Sequence, residues 1–289
     1  MVVEGGWLLR ALIAVGVTAL VCGYLTLCLL FYQGQWQLIL HPKRSDAHPA
    51  AIDGRTIEVV RFGPDATGVP QRTGWWIPAA ADAPFRHLVM LYLPAGDGSL
   101  ADATATLTAI AHTGIAVFAI DYRGFGASAP GRPGEQAMRE DTEAAWQYLA
   151  GQRHVPGSRI LPYGAGVGAS LALALAREHK ETAAVLLDGP RYDIEKDVRA
   201  DPRVRALPVG WLLRNRFALE PMLGQNSVPK LIVTRARQED PRSLAAADPK
   251  MTLVLPGFDQ SAFDTVLRRF LSQYAPPSPE PALTPTAQR

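Results

Sequence analysis

Residues 159–180 read RILPYGAGVGASLALALAREHK, and this stretch decides how the chain folds. Residues 159–163 form a short, largely apolar run suited to a strand. Gly164, Gly166 and Gly168 follow at alternate positions, and residues 167–180 make an alanine-rich helix. Glycines at that spacing permit a tight turn and close packing of strand on helix. A strand that passes through such a turn directly into a helix is the repeating unit of a parallel sheet.

The same rhythm extends both ways. Apolar strands are expected at 87–93 (HLVMLYL), 115–120 (IAVFAI), 183–187 (AAVLL), 230–234 (KLIVT) and 251–255 (MTLVL). Helices fall between them at 100–112 and 135–150, with Ser99 and Asp102 spaced as a capping box for the first. A last helix at 261–274 places Phe263, Val266, Leu267 and Phe270 at i, i+3, i+4 and i+7, a core-facing stripe. Near-continuous apolar strands alternating with helices give an α/β fold, a mostly parallel central sheet with helices on both faces. Two earlier β-rich runs, 55–62 and 71–77, suggest an antiparallel edge. Residues 190–226 break the rhythm and read as a small cap over the sheet, the alternative being one crossover helix with long loops.

The ends differ from the middle. Residues 11–32, ALIAVGVTALVCGYLTLCLLFY, carry no charge and are long enough to cross a bilayer as a helix. Trp7, Tyr32 and Trp36 flank the run as interfacial aromatics do. A secretory signal has a shorter apolar core and a small-residue cleavage site, so the run reads as an uncleaved, single-pass anchor after a short flank at 1–10. Arg10 before it and Lys43 and Arg44 after it leave the side of the globular part open. Residues 275–289, APPSPEPALTPTAQR, read as a disordered proline-rich tail. Residues 33–274 remain for one α/β domain.

Composition narrows function. Lys plus Arg number 29 and Asp plus Glu 27, a net charge of +2 that argues against a nucleic-acid partner. Both cysteines, Cys22 and Cys28, lie in the apolar run, so the globular part has no thiolate nucleophile or cysteine metal site. No metal and no cofactor are expected.

In a sheet of this kind, ligands sit beyond the carboxyl ends of the strands. Three strand ends stand out: Pro94-Ala95-Gly96-Asp97-Gly98, then DYRGFGAS at 121–128, then GAGVG at 164–168. The third has the context of a nucleophile elbow. With FYQGQWQLILHP at 31–42, LLDGP at 186–190 and LPGFDQSAF at 255–263, these motifs make the chain resemble the α/β-hydrolase fold family. The branch it resembles is the membrane-anchored, serine-aminopeptidase-like one. The resemblance implies a Ser, acid, His triad in that chain order.

The departures lie at the catalytic positions. Gly166 occupies the elbow position where the family carries serine, and glycine cannot form an acyl-enzyme. Pro94-Ala95 stands where the family commonly has His-Gly, and proline lacks a backbone donor for an oxyanion. The acid position falls near Gln238, with Glu239 or Asp240 beside it. The base position falls near Gln260, beside Asp259. The six histidines test this without any register. Only His179 follows the elbow, about 12 residues on and roughly 18 Å away along a helix. His87, His112 and His154 are likewise expected at the amino edge of the sheet. His41 and His48 are juxtamembrane, read as solvated loop residues rather than, with Asp46, a weak metal site. No histidine is expected to act as a base.

Pro94, Gly96, Asp97, Tyr122, Arg123, Val167 and Asp188 are the candidate pocket residues. Ser170 reads as a small packing residue, Ser99 as a cap and Ser128 as a loop residue. Arg123 is expected to order its own loop, Asp188 to order the loop after its strand, and Asp97 to be a turn residue. Two functions compete. One is a non-catalytic, membrane-anchored hydrolase-fold protein that binds a protein partner or a small hydrophobic ligand. The other is a hydrolase of an ester, acyl lipid or short peptide acting through a rearranged site.

Overall fold

A computed structural model describes residues 5–257 and 259–276. The expected tail, apart from Ala275 and Pro276, lies outside the described residues. The chain begins with α1 (Gly5–Gly34) and α2 (Trp36–Ile39), then the short strands β1 (His41–Pro42), β2 (Ala51–Ile52) and β3 (Arg55–Thr56). Next come β4 (Glu58–Pro64), β5 (Pro70–Ile77), β6 (Val89–Leu93), β7 (Asp97–Gly98), α3 (Thr104–His112), β8 (Ala116–Asp121), α4 (Glu135–Gln147), β9 (Ile160–Ala165) and α5 (Gly168–Glu178). The second half adds β10 (Val185–Asp188), α6 (Ile194–Arg199), α7 (Val209–Leu212), α8 (Leu219–Gln225), β11 (Lys230–Thr234), α9 (Pro241–Leu244), β12 (Lys250–Val254) and α10 (Gln260–Tyr274).

These elements form two compact units. The larger joins Leu40–Asp193 to the chain from Phe217 onward. Its eight-stranded sheet has the order β12-β11-β10-β9-β6-β8-β5-β4. The pairs from β12 to β8 are parallel, while β5 pairs antiparallel with both β8 and β4, giving the expected antiparallel edge. Strand β6 is buried along its whole length. Alternation sends Met90 and Tyr92 to one face, where they join Leu107 and Ile110 of α3 and Phe263, Leu267 and Phe270 of α10. Helices α4 and α5 pack against each other and against β6 on the sheet. Helix α5 is buried from Gly168 to Ala176, which is why small alanines recur along it.

The strand order reverses between β6 and β9, since the chain builds from β6 toward β8 and then returns to the other side of β6. Such a switch point opens a crevice beyond the carboxyl ends of the two strands. The Pro94–Gly98 loop and the glycine elbow flank it.

The smaller unit contains the chain up to Ile39 together with Ile194–Arg216. Helix α1 has a mean hydropathy of 2.3 in its best window, and it is long and apolar enough to cross a membrane. The excursion expected at 190–226 is therefore divided. Its middle groups with α1, whereas α8 packs on α5 of the larger unit.

Candidate functional site

The elbow follows from its three glycines. A Cβ on Gly164 would lie 2.2 Å from the carbonyl oxygen of Gly168, and one on Gly168 would lie 2.3 Å from that of Leu93. Only residues without side chains let α5 start this close to β9 and β6. Gly166 sits between them at φ +52°, the left-handed conformation in which an elbow nucleophile is strained. A Cβ there would stand 2.8 Å from the Cβ of Ala95. The turn is held by the Gly166 N–H donating to the Asp188 carbonyl at 3.0 Å, and by Arg191 N–H donating to the Gly166 carbonyl at 3.3 Å.

The space in front of the elbow is packed. Gly96, at φ +85°, has the Leu40 Cδ2 and Val167 Cγ2 atoms 2.7 and 2.8 Å from where a Cβ would stand. Leu40, Val167 and Tyr122 are all buried, and the Tyr122 hydroxyl donates to the Pro94 carbonyl at 3.3 Å. Four of the seven candidate pocket residues, Pro94, Gly96, Tyr122 and Val167, thus meet in one packed layer.

The other three carry charge and engage different partners. Asp188 takes a two-point contact from Arg235, 2.6 Å at each oxygen, and accepts from the Tyr163 hydroxyl at 2.6 Å. Burial and the Asp188 charge push the Tyr163 hydroxyl far above its ordinary pKa. Arg123 reaches to α4 instead, with Nε 2.6 Å from buried Asp141 and a terminal nitrogen 2.7 Å from Glu140. Asp97 is exposed and pairs with His41, Nδ1 to Oδ1 at 2.7 Å.

That pair was not legible in the sequence. The short strand β1 runs parallel to β7, with His41 opposite Asp97, so the residues just after the apolar helix lie along the carboxyl edge of the sheet. His41 N–H donates to the Gly96 carbonyl at 2.9 Å, and Lys43 N–H to that of Gly98 at 3.1 Å. His41, expected from the sequence to be a solvated juxtamembrane loop residue, stands on this edge. A two-residue ladder leaves no periodicity to read. His179 lies far from the elbow as expected, stacked on Trp146 and 2.9 Å from Glu143. His112 stands between Asp53 and Asp264, 3.3 and 3.7 Å away.

The positions matched to acid and base are otherwise occupied. Gln238 is exposed in the loop after β11. Asp240 caps α9 and holds Arg242, and Glu239 meets the Thr252 hydroxyl. Gln260 opens α10 and donates to the Ala109 carbonyl at 3.1 Å and to Asp264 at 2.6 Å, while Asp259 caps the helix through Ala262. The serines are structural as well. Ser170 donates to the Val167 carbonyl at 2.8 Å inside the core, and Ser128 to that of Asp121 at 2.6 Å. Ser99 gives its hydroxyl to Asp102 at 2.8 Å, and Asp102 also accepts from the Ser99 backbone. Among the described residues no group of three or more His, Cys, Asp or Glu is arranged to hold a metal ion.

Residues 98–256 match the family described as serine aminopeptidase, S33, across more than half of the chain. The chain belongs to this α/β-hydrolase family. An uncharacterized protein of Mycobacterium tuberculosis is 30% identical to it over 70% of this chain and 75% of the relative. The bem46 protein of Schizosaccharomyces pombe is 30% identical over 40% of this chain and 37% of its own. Among solved structures, an esterase of Pyrococcus furiosus superposes with a TM-score of 0.60 at 18% identity, covering 82% of this chain and 97% of the esterase. An acetyl xylan esterase from Paenibacillus gives 0.57 at 20% identity, covering 85% and 93%. The likeness to these two solved structures is one of fold.

Proposed function

We propose that the chain is a membrane-anchored α/β-hydrolase-fold protein that works by binding rather than by covalent turnover. The observation that carries this reading is Gly166 at the elbow, with Ala95 against the place where a nucleophile's Cβ would be. Acyl transfer needs a side-chain nucleophile with a base in reach. The serine nearest in sequence, Ser170, spends its hydroxyl on the helix backbone. The packed layer of Leu40, Gly96 and Val167 favours a protein partner over a small hydrophobic ligand.

A fluorophosphonate probe applied to the purified full-length chain tests the proposal. No specific labelling is expected. Labelling that disappears in Ser170→Ala would sink it.

The second reading, a hydrolase with a rearranged site, is favoured by one feature, the His41–Asp97 pair. A carboxylate on Nδ1 orients an imidazole so that the other ring nitrogen can take a proton from water. That reading requires turnover of a short ester that survives the serine probe and is lost in His41→Ala. The binding reading requires no turnover in either chain.

A further inference from the structure

The smaller unit carries an exposed surface with no part in the site above. Helix α1 presents Tyr24, Cys28 and Phe31 at i, i+4 and i+7, one face of the helix, and Gln35 follows in the turn after it. The segment Ile194–Arg216 clasps that face. The Tyr24 hydroxyl donates to the Ala206 carbonyl at 3.2 Å. Gln35 donates to the Leu212 carbonyl at 3.0 Å and accepts from Arg214 N–H at 2.6 Å. The Arg214 guanidinium lies 5.3 Å over the Tyr32 ring. From Tyr24 to Gln35 the clasp follows the axis for about 16 Å.

What the clasp leaves bare is apolar. Leu25, Leu27, Leu29 and Leu30 of α1 are 55–61% exposed, and Trp211 of α7 is 93% exposed. Arg205 and Arg214 of the same segment are exposed as well. A helix entering a bilayer brings whatever is fixed to its last turns to the bilayer surface.

We propose that Ile194–Arg216 is a second membrane-binding element. Trp211 lies in the interfacial layer, and Arg205 and Arg214 face the phosphates of anionic phospholipid headgroups. Tryptophan suits that layer through its apolar ring and polar N–H. Guanidinium matches phosphate with paired donors. The proposal rests on the reading that α1 enters the membrane.

The test uses the full chain in phosphatidylcholine vesicles with brominated acyl chains, with and without phosphatidylglycerol, reading tryptophan emission. Trp7→Phe reports the span and Trp211→Phe the clasp. Each variant is expected to lose part of the lipid-quenched emission. Phosphatidylglycerol is expected to deepen quenching of the Trp211 share, and the Arg205→Gln, Arg214→Gln double variant to lose that increment. Quenching of the Trp7 share with none of the Trp211 share overturns the proposal and leaves the anchor standing. Quenching of neither overturns both. A Trp211 share shielded from lipid and from aqueous acrylamide alike points to a protein partner and also overturns it.

Discussion

Asp141 shows how much one buried carboxylate organises. It accepts from Arg72 Nε at 2.7 Å, from the Arg123 backbone at 2.8 Å and from Arg123 Nε at 2.6 Å. It thereby joins β5, the loop after β8 and α4. Removing one partner of a buried ion pair strands the other charges. Asp141→Ala is expected to cost about 3–5 kcal/mol, read as a lowered denaturation midpoint. An unchanged midpoint would show that solvent replaces the carboxylate freely. Gly166 marks the opposite case, a residue needed for what it lacks. Gly166→Ser would add a side chain at φ +52° against Ala95. It is expected to destabilise by about 1–3 kcal/mol and to yield no esterase activity. Robust turnover by that variant, lost again with His41→Ala, would show that His41 serves the elbow as a base.

At the scale of elements, the strap after α2 is the main finding. Leu40 fills the space before Gly96, and β1 zips onto β7. Arg44 donates to the Phe125 carbonyl at 3.2 Å, so the strap also binds the DYRGFGAS loop. Leu40→Ala is expected to cost about 2–5 kcal/mol and to open a cavity against Val167. Increased fluorescence of a hydrophobic dye bound to the folded variant would report the opening, and an unchanged midpoint would mean that the strap does not seal this layer. The long elements were legible in the sequence because hydrophobic period distinguishes buried strand from amphipathic helix. The β6, β8 and β9 strands and α10 fall where that pattern puts them. The strap was not legible, because a two-residue pairing has no period. Nor was Arg235, whose partner Asp188 lies 47 residues away.

For the whole molecule, two buried titratable groups give stability opposite slopes with pH. Burial, outweighing the Leu100 and Ala127 N–H groups, raises Asp121 from 3.8 to about 6. Between those values the folded chain keeps a proton that the unfolded chain has lost, so stability falls as pH rises through this window. Lys230, fully buried with Nζ 2.7 Å from the Asn226 and Ala247 carbonyls, is lowered from 10.5 to about 8 by burial and by Lys250. Between those values the unfolded chain holds the extra proton, so stability rises with pH. Thermal midpoints across pH are therefore expected to dip between the two windows. Asp121→Asn should flatten the acid limb and Lys230→Met the alkaline one. A profile unchanged by either substitution would assign the dip to other groups.

The α/β architecture, the apolar helix and a glycine at position 166 of the turn before α5 are written in the amino-acid sequence alone. Each of these is a local matter, of hydrophobic period, of run length or of a single side chain. The tertiary structure decided what stands around the elbow. Leu40, His41 and Asp97 come together because the chain returns across the carboxyl edge of its own sheet, and Asp188 finds Arg235 because β10 and β11 lie side by side. Contacts of that kind depend on strand order and register, which no short window of sequence contains.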